Sequence, residues 1–176
     1  MKRSWKDSIY RQREQLADLL RGPLTRLAAA CAPAWNDRDR LNSILLKHFS
    51  GIPHCTHLFC TDGKGVQISD NIGRSGVVTR HFGRDRSKRP YMLETMPAWG
   101  FLLSDAYISL QKQRPSLTAL QIVSADASTL GYLGADFDLR NLPVTAELYD
   151  EPGYWRQVKG DPAIRGTVFQ QCRVES

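Results

Sequence analysis

The residues best equipped for chemistry fall in three places. His54-Cys55-Thr56-His57-Leu58-Phe59-Cys60 gathers two imidazoles and two thiols, the ligand types that zinc takes. The spacing is not that of a paired knuckle, and much of the segment reads as a strand, where His57 and Cys60 point to opposite faces. The expectation is a strand with Cys60 buried and His57 partly exposed, and no metal. Arg80, Arg84, Arg86 and Lys88 form a basic run. Such a run is either a solvated face or a local potential that favours an anion. Asp136 and Asp138 are two apart on a strand and so share a face, with the second placed to cap the turn or helix that follows. A nucleophile elbow, a phosphate-binding loop and an H-E-x-x-H motif are all missing from the sequence, which argues against an enzyme.

The elements that must position these groups follow from periodicity. Ile9, Leu16, Leu20, Leu24, Leu27 and Cys31 recur at helical steps and make one apolar stripe. Gly22-Pro23 predicts a kink or break in it. A second helix begins near Asn36-Asp37 and puts Leu41, Ile44, Leu45 and Phe49 on one face. Gly51 and Pro53 end it. Residues 56–61 and 66–69 read as strands joined by the turn Asp62-Gly63-Lys64-Gly65. Residues 70–86 are polar and Gly-rich and read as a loop or weak crossover. Pro90 opens a short helix that Pro97 closes. Residues 102–110, 117–124 and 130–137 read as three further strands, with turns at Arg114-Pro115 and Ala125-Asp126-Ala127-Ser128. A last helix starts at Gly160-Asp161-Pro162 and runs towards Ser176 with no C-capping signal, which suggests that it continues in a longer parent. The fold class is α+β: an antiparallel sheet of about five strands with a long N-terminal helix and flanking helices.

Composition sets outer limits. The chain has 176 residues, of which 41% are apolar and 24% charged, enough for a globular domain with a core. The formal charge of +6 permits an anionic partner without naming one. The basic residues are dispersed and not interleaved with aromatics, so nucleic acid is not expected. The apolar stretches 27–35 and 99–103 fall far short of the ~20 residues of a membrane span. The basic N-terminus is not followed by the apolar segment of a secretory signal. The expected location is therefore cytoplasmic. The four cysteines, Cys31, Cys55, Cys60 and Cys172, are expected as reduced, mostly buried thiols.

Several strings resemble Cache/PDC domains, the extracellular-PAS-like sensor family. Gly83-Arg84-Asp85-Arg86-Ser87-Lys88-Arg89-Pro90-Tyr91 is similar to the helix that lines that family's ligand pocket, with its Arg-Pro-aromatic step. Ser104-Asp105-Ala106 resembles the aspartate at the head of its third strand. Gly131-Tyr132-Leu133-Gly134-Ala135-Asp136-Phe137-Asp138-Leu139 resembles the end of its last strand. The resemblance spans residues 36–143. It implies a PAS-like sheet over residues 36–145, preceded by a helical segment, 1–35, and followed by an irregular segment and helix, 146–176. It also implies a small-molecule ligand held between the sheet and the crossover. Members that bind amino acids carry an aromatic where this chain has Arg84, Trp-Tyr where it has Tyr91-Met92, and Tyr where it has Leu103. No amino-acid ligand is assigned on this ground.

The ligand-binding residues implied are Arg89, Tyr91, Asp105 and Asp136, with Arg84 and Tyr107 beside them. Arg89 would offer a carboxylate or phosphate a planar fork of donors. Tyr91 would add a hydroxyl and a ring face. Asp105 and Asp136 would accept from an ammonium or hydroxyl, and Arg89 paired with either aspartate as a structural bridge is the plain alternative. The expected function is sensing of a small charged metabolite: a carboxylate, an amine or an amino-acid-like molecule. The alternatives are a ligand-free dimerisation scaffold of a larger signalling protein and, further off, a metal-dependent enzyme. No cofactor is expected. The expected partners are the ligand, a second copy through the first helix, and a downstream signalling protein.

Overall fold

The computed structural model describes residues 5–109, 113–142 and 173–174. Helix α1 (Trp5–Cys31) is long and continuous. The expected break at Gly22-Pro23 does not occur. The carbonyl that Pro23 deprives of a partner is that of Leu19, which lies on the exposed side, where water can replace the lost bond. The stripe of Leu16, Leu20, Leu24, Leu27 and Cys31 is buried, as its spacing requires. Helix α2 (Arg38–His48) starts where expected, with the Asp37 carboxylate accepting from the backbone N–H of Arg40.

One sheet follows, with strands β1 (His57–Asp62), β2 (Asn71–Gly73), β3 (Gly76–Val78), β4 (Phe101–Leu103), β5 (Tyr107–Ile108), β6 (Pro115–Ala125), β7 (Ser128–Asp138) and β8 (Arg173–Val174). Their order is β3-β2-β1-β7-β6-β5-β8, with β4 beside β5 along the same edge of β6. The sheet thus has seven positions where about five were expected. Two causes account for the difference.

The first lies after the turn at Asp62, which forms as expected, with Gly65 at φ +91°. Residues 66–69 do not continue as a strand. The N–H and carbonyl of Gln67 and the carbonyl of Gly65 bond instead to residues 83–86 of the crossover. Val66 and Ile68 keep one backbone bond each to β1, to Asp62 and Cys60, but regular pairing with β1 is made by β2, and β3 adds an edge, both inside the stretch expected as a loop. The second cause is β8, which pairs in parallel with β5. The expected final helix therefore does not reach Ser176. Its residues 160–172 lie outside the described residues.

Alternation along the strands sorts side chains onto two faces. Leu58 and Cys60 of β1, Leu117, Ala119 and Val123 of β6, and Leu133, Ala135 and Phe137 of β7 pack with the leucines of α1 and α2. On the opposite face Phe59, Tyr107 and Leu120 join Leu102 and Tyr91 in a smaller cluster under the crossover. Gly131 and Gly134 of β7 are required by close approach. A Cβ on Gly131 would overlap the carbonyl oxygen of Thr61 and the Trp35 ring, and one on Gly134 would overlap the Phe59 ring. The β6–β7 hairpin turns at Asp126 and Ala127, both with positive φ.

Candidate functional site

The crossover between β3 and β4 lies against the second face of the sheet. It carries helix α3 (Pro90–Leu93), a single turn shorter than expected, with Pro90 at its start and Arg89 as its N-cap residue. Under it is a cavity of about 60 Å³. Arg84, Arg86 and Arg89 of the crossover line it, with His57, Asp136, Asp138 and Tyr107 of the sheet.

Arg86 is the best-anchored of the three arginines. It is 5% exposed. Its Nε donates to Gln67 Oε1 at 2.7 Å, its Nη1 to Tyr91 Oη at 2.9 Å and its Nη2 to Asn71 Oδ1 at 3.1 Å. Its guanidinium carbon stands 4.0 Å from the centroid of Phe59. Phe59 in turn lies over Gly134. The glycine, the aromatic ring and the guanidinium form one stack from sheet to cavity. Arg89 is buried as well, and Arg84 is half-buried, with its Nη1 3.4 Å from His81 Nδ1.

The acidic side is built by strand register. His57, Asp136 and Thr118 are Cα partners on adjacent strands and share a face. Thr118 Oγ1 donates to Asp136 Oδ1 at 2.7 Å, and Tyr107 Oη lies 2.6 Å from Thr118 Oγ1. A threonine hydroxyl has one hydrogen, and this one is given to the carboxylate. Tyr107 must therefore donate to Thr118, and the chain Tyr107–Thr118–Asp136 has a fixed direction. Asp138 shares the face but is engaged elsewhere: it caps the turn Leu139–Asn141 through the N–H of Arg140 and meets Arg114 at 3.3 Å.

Of the six ligand-binding residues expected, Arg84, Arg89, Asp136 and Tyr107 line the cavity together. Two do not. Tyr91 lies beneath it, with its hydroxyl on Arg86 and its ring against Phe59 and Tyr107. Asp105 sits in the turn between β4 and β5 with its side chain 44% exposed, 3.8 Å from Arg13 of α1. Arg13 also donates to the carbonyls of Ser104 and Leu103, so Asp105 belongs to the joint between α1 and the sheet. Sequence reasoning missed Thr118, which carries no motif, and placed Arg86 only within a basic run.

Electrostatics on this wall follow burial. The His81 imidazole is pushed below its ordinary value of 6.5, first by burial and then by the charges of Arg86 and Arg80. Burial, then the nearby Asp136, pushes the Cys55 thiol far up, so it stays protonated. Cys60 is buried on the helix side beside Cys31 and shifts in the same direction, while His57 is half-buried on the cavity side. Among the described residues no three His, Cys, Asp or Glu side chains gather to hold a metal, and no helix is long and apolar enough to cross a membrane.

No family model matches the sequence, and no curated protein matches it. Solved structures do match. The ligand-binding domain of the Campylobacter jejuni chemoreceptor Tlp3, in complex with 4-methylisoleucine, superposes with a TM-score of 0.62 at 12% identity, over 83% of this chain and 58% of that one. The fold is that of a Cache/PDC sensor domain. An extracellular ligand-binding receptor from Desulfohalobium retbaense gives 0.62 at 13% identity over 77% of this chain and 25% of the receptor. The ligand-binding domain of the Pseudomonas fluorescens chemoreceptor CtaA, in complex with L-isoleucine, gives 0.56 at 17% identity, over 76% and 55%. This chain spans between a quarter and three fifths of the length of those Cache/PDC structures.

Proposed function

We propose that this chain is a sensory module, not an enzyme, and that it binds a small charged metabolite in the cavity between sheet and crossover. The observation that carries the reading is that Arg89 on the crossover and Asp136 on β7 line the same cavity. Its volume of about 60 Å³ is several times the about 10–15 Å³ that a single water needs, so the space can take a small molecule. The amino-acid ligands of the Campylobacter and Pseudomonas domains support a small-molecule ligand here.

The mechanism is a population shift. A ligand that bridges Arg84 and Arg89 to Asp136 favours the form in which crossover and sheet are closed on it. A hydrogen-bonded route leads from that point to the N-terminal helix. Asp136 accepts from Thr118, the Thr118 N–H donates to Ser104 Oγ, and Arg13 of α1 donates to the Ser104 carbonyl. Self-association through α1 and a downstream partner belong to the same proposal. Because the α1 stripe is buried in its own core, a second copy would meet the outer face, where Tyr10 and Leu19 are exposed. A cytoplasmic location belongs to the same proposal.

A thermal-shift screen of amino acids, amines and organic acids tests the reading. The expected result is a specific rise in melting temperature that Arg89→Ala abolishes. No rise with any compound would leave the scaffold alternative in its place.

A further inference from the structure

Charge and hydrogen-bonding direction narrow the ligand of this cavity. Three guanidinium groups and two carboxylates line it among the described residues. The charge of Asp138 is answered outside the lining by Arg114. Arg86 has each of its three nitrogens in a hydrogen bond to Gln67, Tyr91 or Asn71, so it contributes charge to the cavity more than donors. Arg84 is different. Its guanidinium lies 3.4 Å from His81 Nδ1, a long contact, and it reaches the lining half-buried. The proton affinity of the neighbouring His81 is lowered first by burial, and the charges of Arg86 and Arg80 add to that.

An ammonium placed here would be buried among three like charges with Asp136 to offset them. A carboxylate meets the arginines with charge-assisted hydrogen bonds. Asp136 is an acceptor whose Oδ1 is already oriented by Thr118, so the ligand group that faces it should be a donor. A hydroxyl supplies that donor without adding a positive charge.

We infer that the cavity selects a short hydroxycarboxylate, an anion with a hydroxyl and no ammonium, and that Arg84 is the residue that sets this selection. The inference rests on the sensory reading above. The small volume of the cavity, about 60 Å³, favours a short acid over a long one.

Lactate, propionate and alanine share one frame and differ in carrying a hydroxyl, a hydrogen or an ammonium at the second carbon. Isothermal titration calorimetry of the full chain with each of them, and with isoleucine, tests the inference. Lactate is expected to bind about tenfold or more tighter than alanine, with propionate between them. Arg84→Gln is expected to weaken lactate about tenfold and to shrink the lactate-to-alanine ratio, and Arg84→Lys to keep most of both. Arg84 is half-exposed, so both variants should fold, and an unchanged melting temperature without ligand checks this. Alanine or isoleucine binding as tightly as lactate, or a ratio unchanged in Arg84→Gln, overturns the inference and leaves the sensory reading standing. Lactate failing to bind also overturns it. If the wider screen is blank as well, the sensory reading falls with it.

Discussion

The guanidinium carbon of Arg86 stands 4.0 Å from the centroid of the Phe59 ring, and the three nitrogens of the same group are hydrogen-bonded to Gln67, Tyr91 and Asn71. A buried cation is tolerable only when it is met on all sides, and here the partners come from the turn after β1, from β2, from β1 and from α3. Arg86 therefore fastens the crossover to the sheet and fixes the floor of the cavity. Arg86→Met removes the charge and the donors to Gln67, Tyr91 and Asn71; it strands Gln67 Oε1, while Asn71 Oδ1 keeps only its bond from Gln67 Nε2. The expected cost is about 3 kcal/mol or more in urea unfolding. Arg86→Lys should recover little of it, because an ammonium cannot reproduce the three-way fork.

Under that ring, Gly134 leaves the space that Phe59 occupies. In Gly134→Ala the new methyl overlaps the ring, which must tilt and lift Arg86 with it. We expect a loss of about 1–3 kcal/mol and weakened ligand binding. Gly131→Ala should be worse for stability, since its methyl meets the backbone carbonyl of Thr61, which has no rotamer to escape into. Chemical unfolding of the two variants, with the Gly131 variant less stable, is the check.

The two glycines also show how far the sequence could be read. The motif Gly131–Asp138 marked the strand and its aspartates, and alternation put Asp136 and Asp138 on one face, as found. The leucine stripe of α1 and the Asp37 cap of α2 were legible for the same reason: local spacing dictates local burial. What could not be read was non-local. Residues 66–69 have strand-like alternation, yet they pair partly with the crossover, because Arg86 draws Gln67 inwards. Asp105 and Asp136 look alike as strand-end acids, but only a folded α1 reveals that Asp105 faces Arg13. The path of β8 depends on a pairing more than sixty residues away in sequence, which no periodicity encodes.

Thr118 is the hinge of the chain from Tyr107 to Asp136, with bonds of 2.6 and 2.7 Å. Thr118→Val keeps the shape and removes both bonds. Asp136 loses its orientation, and the Tyr107 hydroxyl is left buried. We expect about 1–3 kcal/mol of destabilisation and a several-fold loss of ligand affinity. Thr118→Ser keeps the hydroxyl and should restore most of the binding in calorimetry.

Ala127 adopts φ +65° in the β6–β7 turn, a conformation in which its Cβ is strained. Ala127→Gly should raise stability by about 0.5–1 kcal/mol and leave ligand binding unchanged, because the hairpin tip is not part of the cavity. A melting temperature at or below that of the parent would count against the turn geometry described.

His81, which stands behind Arg84 of the cavity lining, brings a pH dependence to the fold. Burial, then Arg86 and Arg80, lower its proton affinity, and Asp136 opposes them weakly. Its Nε2 accepts from Arg80 Nε at 3.2 Å, which requires a neutral ring. The folded value lies below the ordinary 6.5, so as pH falls through 6.5 the unfolded chain takes up the proton first. Stability is then lost with falling pH until the folded value is passed, and above 6.5 this group contributes no pH dependence. Melting temperatures between pH 5 and 7.5 should decline on the acid side, and His81→Gln should flatten that decline. A decline of the same slope in the variant would assign it to the carboxylates instead.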